Sequence, residues 1–119
     1  MNINMSKNLN MSVLMDFYGQ LLTDKQRESL EFYYNDDLSL GEIADELEIS
    51  RQGVRDFIKR GEKQLTEFEE KLGLAERFAD IKEKINEING LTDIIEKQTG
   101  SMPELDSLKN VAAQVMEKL

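Results

Sequence analysis

The sequence predicts an all-α protein: a helix-turn-helix domain without a wing, followed by a C-terminal helical extension. Three observations carry that prediction. Proline occurs once in 119 residues and β-branched runs are scarce, so few positions interrupt a helix. Apolar residues recur at three- and four-residue spacing along most of the chain. Capping signatures, Ser or Thr followed three residues later by Glu or Gln, stand ahead of two of these runs. A hydrophobic content of 39% is enough for a small core. The expected division is a helix-turn-helix domain over residues 1–73, with its core at about 39–65, and a helical extension over 74–119.

The elements follow in order. Residues 1–8 read as a polar, mobile arm. Val13, Leu14, Phe17, Tyr18 and Leu21 keep helical spacing and predict a first helix over about residues 9–22. "TDKQ" at 23–26 is a capping box opening a second helix over about 24–34, which would bury Leu30, Phe32 or Tyr33, and Tyr34. "NDD" at 35–37 ends it, because Asn and Asp bond their own backbone. "SLGE" at 39–42 is a second capping box. It starts a short helix through about Leu47, with Ile43, Ala44 and Leu47 inward.

Ser50 is a strong N-cap for the next helix, which meets no breaker before Gly73 apart from the tolerable Gly53 and Gly61. On a helical wheel with Arg51 at zero, Val54, Phe57, Ile58, Gly61, Leu65, Phe68 and Leu72 fall between about 240° and 340°. Arg51, Gln52, Arg55, Lys59 and Lys63 fall between about 0° and 120°, with Asp56 and Glu62 as acidic intruders. Beyond Gly73, Leu74, Phe78, Ile81, Ile85, Ile88 and Ile95 keep heptad-like spacing, interrupted by Thr92. "QTGSMP" at 98–103 reads as a loop, and Ser101 or Pro103 as the start of a last helix. There Leu105, Leu108, Ala112, Val115 and Leu119 step by three and four. Two such stripes fit either an antiparallel helical hairpin or a seam against another subunit.

Composition excludes much chemistry. With no cysteine and no histidine, disulfides, thiol catalysis, zinc-finger sites and imidazole acid–base catalysis are ruled out. No nucleophile stands with a base, no loop is built to cradle phosphate, and no metal-ligand set is present, so an enzyme is not expected and no cofactor is implied. Asp36 and Asp37 lack calcium-loop spacing and read as turn residues. "MNINMSKNLNMS" lacks the apolar core and cleavage site of a signal peptide, and no apolar run approaches a membrane span, so a cytoplasmic protein is expected.

Net charge −9 argues against a non-specific nucleic-acid coat protein. The charge is uneven. Residues 38–65 carry five basic and six acidic groups, whereas residues 66–119 carry seven and twelve.

The short helix, the turn at 48–50 and the helix from Arg51 together make a helix-turn-helix. Ala44 is small where the two helices cross, and Ile43, Leu47, Ile49, Val54 and Ile58 set the crossing. Ser50, itself a candidate nucleic-acid contact, caps the second helix, and Arg51, Gln52 and Arg55 then stand where such motifs reach base edges in the major groove of double-stranded DNA. Arginine pairs bidentately with guanine and glutamine with adenine. Lys59, Arg60 and Lys63 are better placed for phosphates. The competing account is a solvated face on a helix pair kept for packing. For Phe32, Tyr33 and Tyr34, core packing is favoured over base stacking.

"LSLGEIADELEISRQGVRDFIKRGEKQL" resembles the helix-turn-helix in region 4 of housekeeping sigma factors, and "LLTDKQRESLEFYYNDDLSL" resembles the helix and loop that precede it. A closer resemblance is to the YlxM family of helix-turn-helix proteins, encoded beside the signal recognition particle GTPase. It is carried by "MSVLMDFYGQLLTDKQ" (11–26), "YYNDDLSLGEIADELEISRQGVRDFIKR" (33–60) and "EKQL" (62–65), within roughly the first 75 residues. The resemblance implies a DNA-binding regulator of transcription, linked to the signal recognition particle pathway. The alternative it implies is an adaptor that binds the pathway's GTPase or RNA instead of DNA.

Departures from the sigma pattern are specific. Glu48 stands where the turn commonly has glycine, and must adopt a left-handed conformation or a different turn. Asp56 stands where sigma factors have a DNA-contacting glutamine, although aspartate fits the YlxM pattern, and beside Arg55 it would repel phosphate or hold the arginine. Gly53 replaces a longer residue, which weakens the helix by about 1 kcal/mol relative to alanine. A homodimer is expected, because one short recognition helix rarely supplies enough affinity and paired half-sites are the usual remedy.

Overall fold

A computed structural model of the chain describes residues 7–119. The polar arm expected over residues 1–8 lies outside the described residues up to residue 6, and Lys7 and Asn8 are already helical. Every described element is helical. In order they are α1 (Lys7–Tyr18), α2 (Asp24–Leu30), α3 (Leu40–Leu47), α4 (Arg51–Leu72), α5 (Leu74–Thr99) and α6 (Pro103–Glu117). The chain forms two compact units, Met1–Ala75 and Glu76–Leu119.

In the first unit α4 is the axis against which α1, α2 and α3 pack. Its core holds Leu14, Met15, Tyr18, Leu22, Leu30, Tyr34, Ile43, Ala44, Val54, Ile58 and Leu65. The first helix is shorter than its spacing predicts. A single 3-10 turn over Gly19–Leu21 follows Tyr18 and swings Leu22 inward, leaving Leu21 59% exposed. Val13 is likewise on the outer side of α1, and Met15 takes the inward place.

Both capping boxes form. Thr23 Oγ1 accepts the Gln26 amide while Gln26 Oε1 accepts the Thr23 amide, and Ser39 and Glu42 repeat the exchange at α3. Those donors at Ser39 hold the Glu42 carboxyl below the ordinary carboxylate range. After Leu30 the helix widens into one π turn over Glu31–Asn35. The widened turn resolves the Phe32–Tyr34 ambiguity: Tyr34 is buried, while Phe32 and Tyr33 lie half-buried at the core's margin. The Tyr34 hydroxyl donates to the Glu62 carboxylate on α4, which ties this acidic intruder to the margin of the core.

A second carboxylate, one that no local pattern marks, points inward. Glu69 is 5% exposed. Its Oε1 accepts the Tyr18 hydroxyl at 2.6 Å and the Ala75 amide at 3.0 Å, while the Tyr18 oxygen accepts the Leu74 amide at 3.0 Å. The group satisfies two first-turn amides of α5, immediately after α4 ends on left-handed Gly73 (φ 62°). The phenol is buried beside the carboxylate, and both influences push its pKa up.

The second unit is a hairpin of the remaining α5 and α6, joined by residues 100–102. Lys109 Nζ lies 3.1 Å from Glu96 and 3.5 Å from Asp93, contacts that close symmetrically about the turn and set the helices antiparallel. Pro103 takes the first helical position, as its fixed φ suits. Ile85, Thr92, Leu105 and Ala112 are its buried side chains. Thr92 therefore continues the inward stripe, its hydroxyl satisfied by the Asn89 carbonyl. Ile88 and Ile95, expected in that stripe, are exposed instead.

With Leu91 and Ile94 they form an outer row on α5, matched by Leu108 and Val111 on α6. Each row lies about 100° from its buried stripe, in the sense that puts both on one side of an antiparallel pair. No helix among the described residues is long and apolar enough to cross a membrane.

Candidate nucleic-acid interface

The helix-turn-helix arrangement is set by three residues between α3 and α4. Glu48 closes α3 in the left-handed region (φ 56°, ψ 45°), its amide donating to the Ala44 carbonyl. The turn is thus built without glycine, at a strain that an L-residue accepts only where its surroundings hold it. Ile49 then donates its amide to the same Ala44 carbonyl at 3.1 Å, which tucks the turn against α3. Ser50 is extended, and its hydroxyl oxygen accepts the Gly53 amide at 3.0 Å. The Ser50 O–H hydrogen stays available to donate outward.

From that cap, Val54 and Ile58 turn fully into the core, which holds the opposite side of α4 in solvent. Arg51, Gln52, Arg55, Lys59, Arg60 and Lys63 are all exposed. None of the five cations is in an ion pair among the described residues.

The structure divides them into groups. Arg51 lies back across the first turn of α3: a Cβ built on Gly41 would sit 2.9 Å from its Nη2 and 3.1 Å from its Nε. Arg51, Gln52 and Arg55, with Ser39, Leu40 and Gly41, line a cleft of about 490 Å³ between the first turns of α3 and α4. Arg55 and Lys59 share the next concavity with Tyr33, Leu40, Ile58 and Glu62. Lys59 and Lys63 share a third, where Glu62, Glu67 and Glu70 bring negative charge. Arg60 lines none of these three. The basic character is therefore concentrated in the first three turns of α4 and fades towards Glu67.

Asp56 does not hold Arg55, as its neighbouring position suggested. It accepts from Gln52 Nε2 at 3.1 Å, one helical turn back. The signal was present as a Gln–Asp pair at four-residue spacing, which faces one way on a helix. The packing of Arg51 on Gly41 had no sequence signal, because it depends on how closely the two helices start.

Geometrically, this is a convex helix face with paired hydrogen-bonding groups at its tip and flexible cations along its flank. Such a face can enter a groove about 12 Å wide and meet phosphates on either side.

Comparison with known proteins agrees with this arrangement. A family model described as "Putative helix-turn-helix protein, YlxM / p13 like" (UPF0122) matches residues 5–114. A UPF0122 protein of Thermoanaerobacter sp. (strain X514) is 48% identical over 107 residues, spanning 90% of this chain and 92% of its own length. One from Acetivibrio thermocellus is 49% identical over 115 residues, 95% and 97% of the two chains. The UPF0122 protein YlxM of Bacillus subtilis (strain 168) is 48% identical over 89 residues, 75% and 81% of the two. The family match continues well past residue 75, so the hairpin is part of the shared pattern and not an unrelated tail.

Proposed function

The chain belongs to the UPF0122 family of YlxM- and p13-like proteins, and from that footing we propose that it is a DNA-binding regulator. The one observation that carries the proposal is the cluster at the start of α4. Five exposed cations, none of them in an ion pair among the described residues, follow a capped helix-turn-helix turn, while the Glu62 carboxylate beside them accepts the Tyr34 hydroxyl.

In the arrangement that resembles sigma region 4, the first turns of α4 enter the major groove. Arg55 and Gln52 meet base edges there, and Arg51 lifts from Gly41 to reach a phosphate or guanine. Lys59, Arg60 and Lys63 with the Ser50 hydroxyl contact phosphates on the flanks.

Two copies of this motif bind paired half-sites. The outer apolar rows of the hairpin support a homodimer: a two-helix unit of this size buries little, and the same face of a second copy closes a four-helix bundle.

The test is fluorescence anisotropy over a salt series, with wild type and the Arg51→Ala/Arg55→Ala double variant. Wild type binds duplex with a salt slope of several ions. The folded variant loses about tenfold or more in affinity and one to two units of slope. Duplex binding that survives intact in the folded variant contradicts the proposal.

A second reading is favoured by the exposed acids of α3, Glu42, Asp45 and Glu46, which face any phosphate approaching that helix. In it the protein is an adaptor whose acidic surface meets a basic partner, the signal recognition particle GTPase, or whose α4 meets the particle's RNA. Capture of either component at low salt, with no duplex binding, would select it.

A further inference from the structure

Asp56 is the feature that a simple phosphate-binding helix does not explain. A carboxylate on the exposed side of α4, one turn from its start, repels the DNA backbone and weakens non-specific attraction. On the wheel it lies about 40° from Gln52, on the side of α4 away from the core, and between the flanking Arg55 and Arg60. Its bond to Gln52 defines what the pair offers outward. A carboxylate only accepts, so the Gln52 amide must turn its NH2 group towards Asp56, at 3.1 Å. One N–H is used there. The second N–H and the Oε1 remain free, and together they are the edge that pairs with adenine N7 and N6. Asp56 is exposed, and its second carboxylate oxygen can accept but cannot donate.

Resting on the DNA-binding proposal above, we infer that Gln52 and Asp56 act as one reader of a base step carrying exocyclic amino groups. Adenine stands opposite Gln52, and adenine or cytosine opposite Asp56. Guanine O6 and N7 and thymine O4 are acceptors, so either base opposite Asp56 would set two acceptors against each other and leave the carboxylate desolvated without a donor. Asp56 has a double role: it sets the orientation of Gln52 and selects the neighbouring base. The arginines and lysines contribute attraction that is largely indifferent to this step, and the acidic member of the face contributes discrimination against wrong steps.

The experiment is enrichment of a randomised duplex library by the full chain, with wild type and Asp56→Asn compared. Both residues are exposed and the amide is isosteric, so the variant folds; far-UV circular dichroism checks that. Wild type is expected to enrich one position for adenine or cytosine about tenfold over guanine or thymine. Asp56→Asn, whose amide also donates, is expected to reduce that preference to about twofold or less. The enriched site is then remade with a base lacking only its exocyclic amine. Wild type should lose about tenfold in affinity and Asp56→Asn almost none, the coupling expected of a direct contact.

An unchanged preference in Asp56→Asn overturns the inference and leaves DNA binding intact. So does duplex binding by wild type with no enriched position. Absence of any duplex binding by wild type overturns the proposed function itself.

Discussion

Gly61→Ala isolates the contact that seats the recognition helix on the rest of its domain. A Cβ at residue 61 would lie 2.6 Å from Leu30 Cδ1 and 3.4 Å from Leu30 Cγ. Leu30 is fully buried and belongs to the core, so the methyl cannot be accommodated by a free side-chain rotation. One of α2 and α4 must retreat by the better part of an ångström. Overpacking of this kind costs about 1–3 kcal/mol. The gain in helix propensity from Gly to Ala returns up to about 1 kcal/mol. A 2.6 Å approach to a fully buried side chain belongs in the upper half of the overpacking range, about 2–3 kcal/mol. The expected net loss is therefore about 1–2 kcal/mol, or roughly 4–16 °C in Tm for a domain of this size.

Chemical denaturation followed by circular dichroism should show the midpoint falling at constant m-value. Gly90→Ala is the internal comparison, since its Cβ meets nothing within 4 Å. It should stabilise the hairpin unit by up to about 1 kcal/mol through propensity alone. A Gly61→Ala protein as stable as wild type would refute the rigid approach of α2 to α4 on which the placement of Arg55 and Gln52 depends.

Tyr18→Phe removes the hydroxyl that donates to buried Glu69 and accepts the Leu74 amide, and should cost about 1–3 kcal/mol, read from equilibrium denaturation. Tyr18 and Tyr34 also make the fold sensitive to alkali. Burial first, then hydrogen bonding to Glu69 and Glu62, raises both phenols above their ordinary 10.0. The unfolded chain therefore releases these protons first, so the stabilisation is complete below about pH 10 and is lost as pH climbs towards the folded-state values. Replacing both tyrosines with phenylalanine should lower stability at neutral pH yet flatten its decline above pH 10. An equally steep decline in that variant would assign the alkaline sensitivity elsewhere, to the lysines above all.

Much of the helix-turn-helix was legible because its determinants are local. Thr23/Gln26, Ser39/Glu42 and Ser50 are capping signals read within four residues, and each forms in the structure. For Glu48 the sequence allows a left-handed residue or a different turn, and the structure has the left-handed residue. Boundaries depending on tertiary contacts were not legible. The 3-10 turn after Tyr18 and the π turn at Glu31–Asn35 adjust register so that Leu22 and Tyr34 meet α4, and nothing in a local pattern announces that.

Glu69 reads as a surface acid among Glu67 and Glu70, because its partners, Tyr18 and the amides after Gly73, are remote in sequence or lie on the backbone. In the hairpin, periodicity pointed to a single stripe. The structure separates it into a buried seam through Ile85 and Thr92 and an outer row through Ile88, Leu91 and Ile95. At the candidate site, the identities and spacing of the polar residues were readable, but their pairings were not: Asp56 with Gln52 and Arg51 over Gly41 both depend on side-chain placement.

The most direct test of the central claim is a titration of ¹⁵N-labelled protein with an enriched duplex, following backbone amide shifts residue by residue. The largest changes should fall on Ser50–Lys63 and the first turn of α3 around Leu40 and Gly41, with little or no change over Glu76–Thr99. Saturating perturbation confined to the hairpin unit, with residues 50–63 unmoved, would contradict a recognition helix at α4.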